Sequence, residues 1–419
     1  MLSDSVSLFS ELSLPMFLAM FWHAVIFEIP RFFVSVLVVA GARCMRPPRL
    51  QGQRSHKISI LLPGHNEGAS LRKTVEGLRE QTLGDAQMVV VDDGSTDDMA
   101  TVGRQLQREG TVQCFLSTGL RGGKSAAANL GLIHTSGDII IIADIDTSFD
   151  RDAIEQIVAP FSDPRVGAVS GNIAVRNKRA SLLSRFQAIQ YLQSISLGRM
   201  VTNMLDTVFI ASGAFAAFRK EALVSIGGWE VGPGEDADIT IKLRRAGWAV
   251  RFQPDAWALT DVPETLGALV RQRLRWNRSL IRIRVRKFRG MFNPFLPNFS
   301  LKNVLGTADI LFFQALLPAG FFVYLIWLFG YYGVFAWTII LVVSMAYIIA
   351  STVSFIAAVS VAGHYGDLRL LPYVPGYALF NAYVLRAVSV YAYLDELMFR
   401  KSYQDTYVPS RVLKQADKF

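Results

Sequence analysis

The sequence predicts an α/β domain with a mostly parallel sheet, flanked by transmembrane helices. Three observations carry this reading. Of 419 residues, 51% are hydrophobic and only 18% charged, where an ordinary soluble chain has about 25% charged. The apolar excess gathers at the two ends. Between them, short apolar runs alternate with helical stretches, the pattern of strands covered on both faces by helices. The length allows two or three domains. The composition excludes a disordered chain, a fibrous repeat and an ordinary cytosolic enzyme.

Residues 1–45 read as an N-terminal membrane segment. Residues 12–42 are mostly apolar, interrupted by Glu28, Pro30 and Arg31. A spanning helix needs about 20 apolar residues, so this run fits one kinked, oversized helix or a spanning helix beside an interfacial one. The first residues carry Asp4 and Glu11 but no Lys or Arg, unlike a secretory signal. Arg43, Arg46, Arg49, Arg54 and Lys57 follow with no acidic residue between them, which places the next domain in the cytoplasm. Cys44 and Cys114 have no disulfide-scaffold or zinc spacing.

Residues 46–270 read as the α/β domain. Strands are expected at 58–63 (ISILLP), 87–91, 111–116, 138–143 and 165–171. Helices are expected at 70–80, where Leu71, Val75 and Leu78 keep helical spacing, and at 96–108, 124–134 and 151–159. Ligands of such sheets bind outside the carboxyl ends of the strands, and the polar clusters fall there.

Pro63-Gly64-His65-Asn66-Glu67 follows the first strand and offers polar groups on a tight turn. Asp92-Asp93-Gly94-Ser95-Thr96-Asp97-Asp98 follows the second; four carboxylates in seven residues exceed what a helix cap needs and repel each other without a ligand. Asp144-Ile145-Asp146 follows the most apolar strand, and hard oxygen ligands at this spacing suit Mg²⁺ or Mn²⁺. Gly234-Glu235-Asp236 opens a helix, where a carboxylate serves either as a general base or as a favourable charge at the helix dipole. Arg121-Gly122-Gly123-Lys124 precedes another helix, and its amides and Lys124 are suited to an anion.

Residues 271–306 read as basic interfacial helices capping the site. The stretch 271–290 has nine basic residues and no acidic one. Leu274, Ile281, Val285 and Phe288 can share one helix face, so the later arginines fit an interfacial helix on anionic lipid. Residues 281–286 also alternate with period two, as a strand would. The early arginines, interrupted by Trp276 and Asn277, suit a diphosphate site. Residues 307–394 read as C-terminal membrane helices, with apolar runs at 308–330, 333–360 and 371–393. Pro372, Pro375 and Arg386 break the third. If all three runs span, the basic tail 395–419 lies outside, against the positive-inside rule; otherwise the third run is re-entrant or interfacial. The net charge of +9 suits an anionic membrane face or a phosphorylated substrate. Nucleic acid is not expected, because the basic residues sit beside apolar stretches.

The ordered set P-G-H-N-E at 63–67, D-D-G-S-T-D at 92–97, G-G-K at 122–124, D-I-D at 144–146, G-E-D at 234–236 and Q-R-L-R-W at 272–276 resembles the membrane-integrated, inverting family-2 glycosyltransferases of the processive type. Cellulose, chitin, hyaluronan and poly-N-acetylglucosamine synthases are its familiar members. The resemblance covers roughly 55–290 and implies a GT-A-like domain. It also implies roles. Pro63, His65, Asn66, Glu67 and Asp92 would line the nucleoside pocket, and Lys124, Asp144 and Asp146 would meet the nucleotide–sugar. Asp144 and Asp146 would hold Mg²⁺ or Mn²⁺. Asp236 would be the general base. Ser212, Gly213, Glu235, Gln272, Arg273, Arg275 and Trp276 would serve the acceptor and diphosphate. His65 departs from the usual aromatic residue, and no Thr precedes Glu235-Asp236 as it does in cellulose synthases.

The implied reaction is single displacement from a UDP-sugar, UDP-N-acetylglucosamine or UDP-glucose, onto a growing glycan. A β-linked exopolysaccharide is the expected product, made at the inner (plasma) membrane by a multi-pass protein. Transfer of one sugar to a lipid carrier or glycolipid is the alternative. So few spans make a thin channel wall, so a homo-oligomer or an export or regulatory subunit is an expected partner beside membrane lipid.

Overall fold

The computed structural model describes residues 13–44, 56–363, 365–404 and 408–415. Arg46, Arg49 and Arg54, part of the basic cluster expected to mark the cytoplasmic side, lie outside the described residues.

Eight strands form one sheet: β1 (Ile58–Gly64), β2 (Gln87–Asp92), β3 (Cys114–Ser117), β4 (Ile139–Ala143), β5 (Ser148–Phe149), β6 (Val166–Val175), β7 (Phe215–Arg219) and β8 (Ala249–Thr260). Their order is β3-β2-β1-β4-β7-β6-β8-β5. The first four are parallel, with Leu61 beside Val89 and Ile142. Their side chains alternate between two cores. Ile60, Leu62, Val90 and Ile141 pack with Leu71, Val75 and Leu78 of the helix Gly68–Arg79 on one face. Leu61, Val89, Ile140 and Ile142 pack with Ala127 and Ala128 of the helix Lys124–Ile133 on the other. Burial on both faces explains why these strands read as continuous apolar runs.

The second half departs from the expected pattern. β7 runs antiparallel to both β4 and β6, and β5 is antiparallel to β8, so the sheet is mixed. The reversal positions the site. Antiparallel pairing sets Phe215, the first residue of β7, against Ala143, the last of β4. The segment entering β7, Ser212 and Gly213 included, therefore arrives at the mouth of β4 beside Asp144.

The apolar ends form long helices. Leu14–Trp22 and Ile29–Cys44 join through a wide turn at His23–Glu28. Leu301–Leu311 continues to Tyr332, and the chain reverses at Gly333–Phe335 into Ala336–Ala362. Two stretches, Leu14–Val34 and Leu301–Ala362, are long and apolar enough to cross a membrane. The third run is a helix over residues 374–399, and both its ends touch the α/β domain or the basic helix attached to it. Tyr377 packs on Phe186, ring centroids 6.3 Å apart. At the other end Asp395 pairs with Arg278 at 2.6 Å and Glu396 with Arg286 at 2.7 Å. The described part of the tail returns to the domain as well, where Arg411 donates to the Arg121 carbonyl at 2.9 Å.

These contacts overturn one expectation. The basic stretch is helical over Leu266–Lys287, so its period-two alternation does not make a strand. Its later arginines do not face lipid. Arg282 and Arg284 are 3% and 2% exposed, while Val285 is 38% exposed. Arg278 and Arg286 find carboxylates on the helix 374–399, and Arg282 donates to the Pro233 carbonyl at 3.1 Å. Guanidinium groups beside buried carboxylates and carbonyls gain charge-assisted hydrogen bonds that a lipid face would supply less specifically.

Candidate functional site

The three strand-end loops of the parallel half are tied together through hydrogen bonds. Asn66 adopts a left-handed backbone, φ 60°. Its amide donates to Ser95 Oγ at 2.8 Å, and its Oδ1 accepts the Thr96 amide at 2.8 Å. His65 Nδ1 lies 2.9 Å from the Asp93 carbonyl oxygen. Asp97 accepts from the Gly68 amide at 2.9 Å. The acidic cluster is thus largely a set of loop fasteners. Asp92 is 1% exposed and accepts from the Ser95 amide at 2.9 Å and Ser117 Oγ at 2.7 Å, so it supports the turn from beneath. Asp93 accepts the Gly122 and Gly123 amides at 2.6 and 2.7 Å. Those two amides therefore hold an internal carboxylate; they are not the external anion site expected from Arg121-Gly122-Gly123-Lys124. Pro63 is buried at the end of β1, and the half-buried Glu67 is the carboxylate of that loop that meets the centre.

Lys124 is the hub. Its Nζ pairs with Asp144 and donates to the Gly213 carbonyl at 3.0 Å. A side-chain carbon on Gly213 would lie 3.2 Å from that nitrogen, so the close approach favours glycine there. Around Lys124 the carboxylates crowd. Burial, then Asp146 and Asp144, push the Glu67 carboxyl up to about 7. Burial and Asp144 raise Asp146; burial and Asp236 raise Glu235, against Lys124 and Arg275. This is mutual repulsion in a partly dehydrated site. Among the described residues, no group of three His, Cys, Asp or Glu side chains is placed to hold a metal. The carboxylates of Asp144, paired with Lys124 through one oxygen, and of Asp146, raised by crowding, fit a divalent cation that keeps water and phosphate oxygens as its other ligands.

The helix Glu235–Arg245 starts after Gly234, whose φ is 86°. Glu235, Asp236, Lys124 and Gly213 line one cavity of about 10 Å³, room for about one water. Asp236 Oδ1 accepts the Ala237 amide at 2.8 Å. Thr240 Oγ1 donates to the Asp236 carbonyl at 2.6 Å and accepts the Ala211 amide at 2.8 Å, which fastens this helix to the segment carrying Ser212. Ser212 is 9% exposed, and its amide meets Ser170 Oγ at 3.3 Å.

Two arginines near Asp236 escaped the sequence reading. Arg199 and Arg284 are each lowered to about 10 by burial, with the Asp236 charge acting in the opposite direction. Neither carries a local signal: Arg284 sits in an alternation of apolar and basic residues at 281–286 that, on a helix, selects no face, and Arg199 stands alone in its segment. Arg176, also missed, donates to the Asp146 carbonyl at 2.8 Å and pairs with Asp261.

Within Gln272–Trp276 the helix separates what the motif groups. Gln272, Arg275 and Trp276 lie at i, i+3 and i+4 and share a face. Arg275 acts on Glu235, and Trp276 is 40% exposed. Arg273 points elsewhere. It is 9% exposed, donates to Gln190 Oε1 at 2.7 Å and stacks 4.4 Å from the Trp276 ring. The structure does not bring Arg273 to the Lys124 cluster, because one residue along a helix is a turn of about 100°.

Lys124→Met is expected to reduce turnover at least about 100-fold, the scale of losing an electrostatic stabiliser in a dry site. It should also lower the melting temperature, because Asp144 loses its ion-pair partner and Glu67, Asp146 and Glu235 lose the cation that offsets their repulsion. Turnover and thermal melting of the pair of proteins check this; unchanged turnover would remove Lys124 from the site.

The profile described as Glycosyl transferase family group 2 matches residues 139–371, more than half of the chain. Poly-beta-1,6-N-acetyl-D-glucosamine synthase of Staphylococcus aureus (strain COL) is 29% identical over 276 residues, 65% of each chain. The synthase of the same name from Staphylococcus epidermidis is 27% identical over the same span. This chain thus matches about two thirds of the length of these curated relatives. Among solved structures, the mannosyltransferase PcManGT from Pyrobaculum calidifontis, in complex with GDP-Man and Mn²⁺, superposes with a TM-score of 0.58 at 21% identity, covering 90% of this chain and 99% of that one. That likeness establishes the glycosyltransferase GT-A-like fold.

Proposed function

The chain belongs to glycosyl transferase family group 2, and from that premise we propose that it is a membrane-embedded inverting glycosyltransferase that polymerises N-acetylglucosamine from its UDP-sugar into a β-linked exopolysaccharide. The observation that carries the reading is the shared cavity of Glu235, Asp236, Lys124 and Gly213: a carboxylate stands beside a cation at the mouth of the strand bearing Asp144. The names of the relatives favour N-acetylglucosamine over glucose.

In this mechanism Asp236 takes the proton of the acceptor hydroxyl as that oxygen attacks the anomeric carbon from the face opposite UDP. Inversion follows from single displacement, so an α-linked donor gives a β-linkage. Lys124 and Arg275 offset the charge that develops on the leaving diphosphate. Glu67 and the neighbouring loop line the nucleoside side; Asp92 and Asp93 keep that loop in shape. Ser212, Gly213, Gln272 and Trp276 line the acceptor side. Arg273 acts through its stack on Trp276. Asp144 and Asp146 would hold Mg²⁺ or Mn²⁺, which supplies Lewis-acid stabilisation of the leaving group. Binding of Mn²⁺ in the presence of UDP, read from the loss of the free-ion electron paramagnetic resonance signal, should weaken at least about tenfold in D144N/D146N. Retained binding would place the ion elsewhere.

The topology proposed is three crossings: the N-terminal helix and the two helices of 301–362. The helix 374–399 is read as re-entrant, since its ends touch the domain and the basic helix while Tyr383 and Arg386 in its middle reach the spanning helices at Ser344 and Glu28. The basic tail then stays on the cytoplasmic side, in keeping with the positive-inside rule. The domains proposed are those expected from sequence, except that the helix Leu266–Lys287 runs across the 270/271 boundary and the helix 374–399 across the 394/395 boundary.

UDP release from UDP-N-acetylglucosamine and from UDP-glucose, measured on full-length protein in lipid nanodiscs with Mg²⁺ or Mn²⁺, tests the donor. Faster release from the amino sugar supports the reading; preference for glucose overturns it.

A further inference from the structure

A second cavity, of about 480 Å³, lies away from the Lys124 cluster and is lined by Lys178, Arg179, Arg185, Asp367, Arg369 and Tyr373. Its volume is in the range of sites that hold a small ligand. It forms where the loop after β6 and the start of the helix Leu182–Tyr191 meet the turn Tyr365–Tyr373. That turn directly follows the apolar helix ending at Ala362.

The charge is unbalanced. Lys178 neutralises the buried Asp367. Arg179, Arg185 and Arg369 then face the cavity with no carboxylate partner among the described residues. Arg185 is held in place by its stack 4.7 Å from the Tyr373 ring. Planar guanidinium groups converging without carboxylates match a phosphate group, to which each can donate two hydrogen bonds. The same turn exposes Leu368 and Leu371, 42% and 37% accessible. A soluble phosphate has no use for exposed leucines beside it. An acyl chain does.

We propose that this cavity binds the phosphate headgroup of an anionic phospholipid, with Leu368 and Leu371 against its chains. The lipid contact expected for the later arginines thus belongs here, since Arg278, Arg282 and Arg286 are taken by protein partners and Arg284 is buried.

The test is native mass spectrometry of the full-length protein in detergent, titrated with phosphatidylglycerol, phosphatidylcholine or inorganic phosphate. The wild type should retain phosphatidylglycerol in preference to phosphatidylcholine. R179Q/R369Q, which alters two exposed side chains, should lose about tenfold or more of phosphatidylglycerol affinity and leave phosphatidylcholine adducts unchanged. R185Q, which removes the stacked guanidinium, should lose the preference too. The proposal is overturned if both variants keep the wild-type preference. It is also overturned if inorganic phosphate binds as tightly as phosphatidylglycerol and is lost in the same variants, for then the site is one for a soluble anion.

Discussion

Asp236→Asn is expected to lower glycosyl transfer by about 10²–10⁴-fold, the contribution of a positioned general base. The substitution keeps the shape of the side chain, and the amide oxygen can still accept from Ala237. It removes the lone pair that takes the acceptor proton. The neighbouring Glu235 cannot stand in, because burial, the larger cause of its raised carboxyl, persists in the variant and its place in the cavity is beside Lys124. Turnover and the melting temperature, measured together, separate a lost base from a lost fold. A turnover within a few fold of the parent would show that the base lies elsewhere.

The second large effect is on stability. Glu28 and Arg386, 7% and 13% exposed, pair at 3.0 Å between the N-terminal helix and the helix 374–399. His23 Nδ1 stands 3.2 Å from Glu28, and its other ring nitrogen 3.2 Å from the Leu317 carbonyl oxygen. The Arg386 guanidinium lies 4.3 Å from the Phe321 ring. One network therefore joins three helices. Glu28→Ala leaves Arg386 buried without its partner, at a cost of about 3–5 kcal/mol. We expect a lower melting temperature and a smaller yield of folded protein after extraction. Removing both charges, as in E28L/R386M, should recover most of that loss, since an apolar pair of similar volume replaces a desolvated ion pair. A double variant no more stable than E28A would show that the pair does not couple the helices.

This network also explains what sequence alone reads poorly. Glu28 and Arg386 each look like an interruption of an apolar run, and each weakens the case for a membrane helix when read in its own run. They are 358 positions apart, and no local pattern says that they are partners. The arginines of 278–286 fail for the same reason: Asp395 and Glu396 lie more than 100 residues on. By contrast, β1 to β4 were legible because strands buried on both faces are apolar throughout and stop where a polar loop begins. The loops at Glu67, Asp97 and Asp144 could be placed at one edge from that fact alone. β7 was not, because Phe215–Arg219 is five residues long and its direction is set by pairing with β4 and β6. Arg273 shows the limit of a motif: adjacent letters on a helix point to different faces. Asp93 shows another, since a carboxylate close to glycine amides in space can fill the anion site those amides suggest.

Polymerisation of N-acetylglucosamine is read from the length of the product. Full-length protein in lipid nanodiscs would be supplied with labelled UDP-N-acetylglucosamine and a divalent cation, with D236N alongside, and the product sized and its anomeric linkage read by nuclear magnetic resonance. The expected product is a ladder or polymer of β-linked N-acetylglucosamine that D236N does not make. A single sugar on a lipid, or an α-linkage, would contradict it.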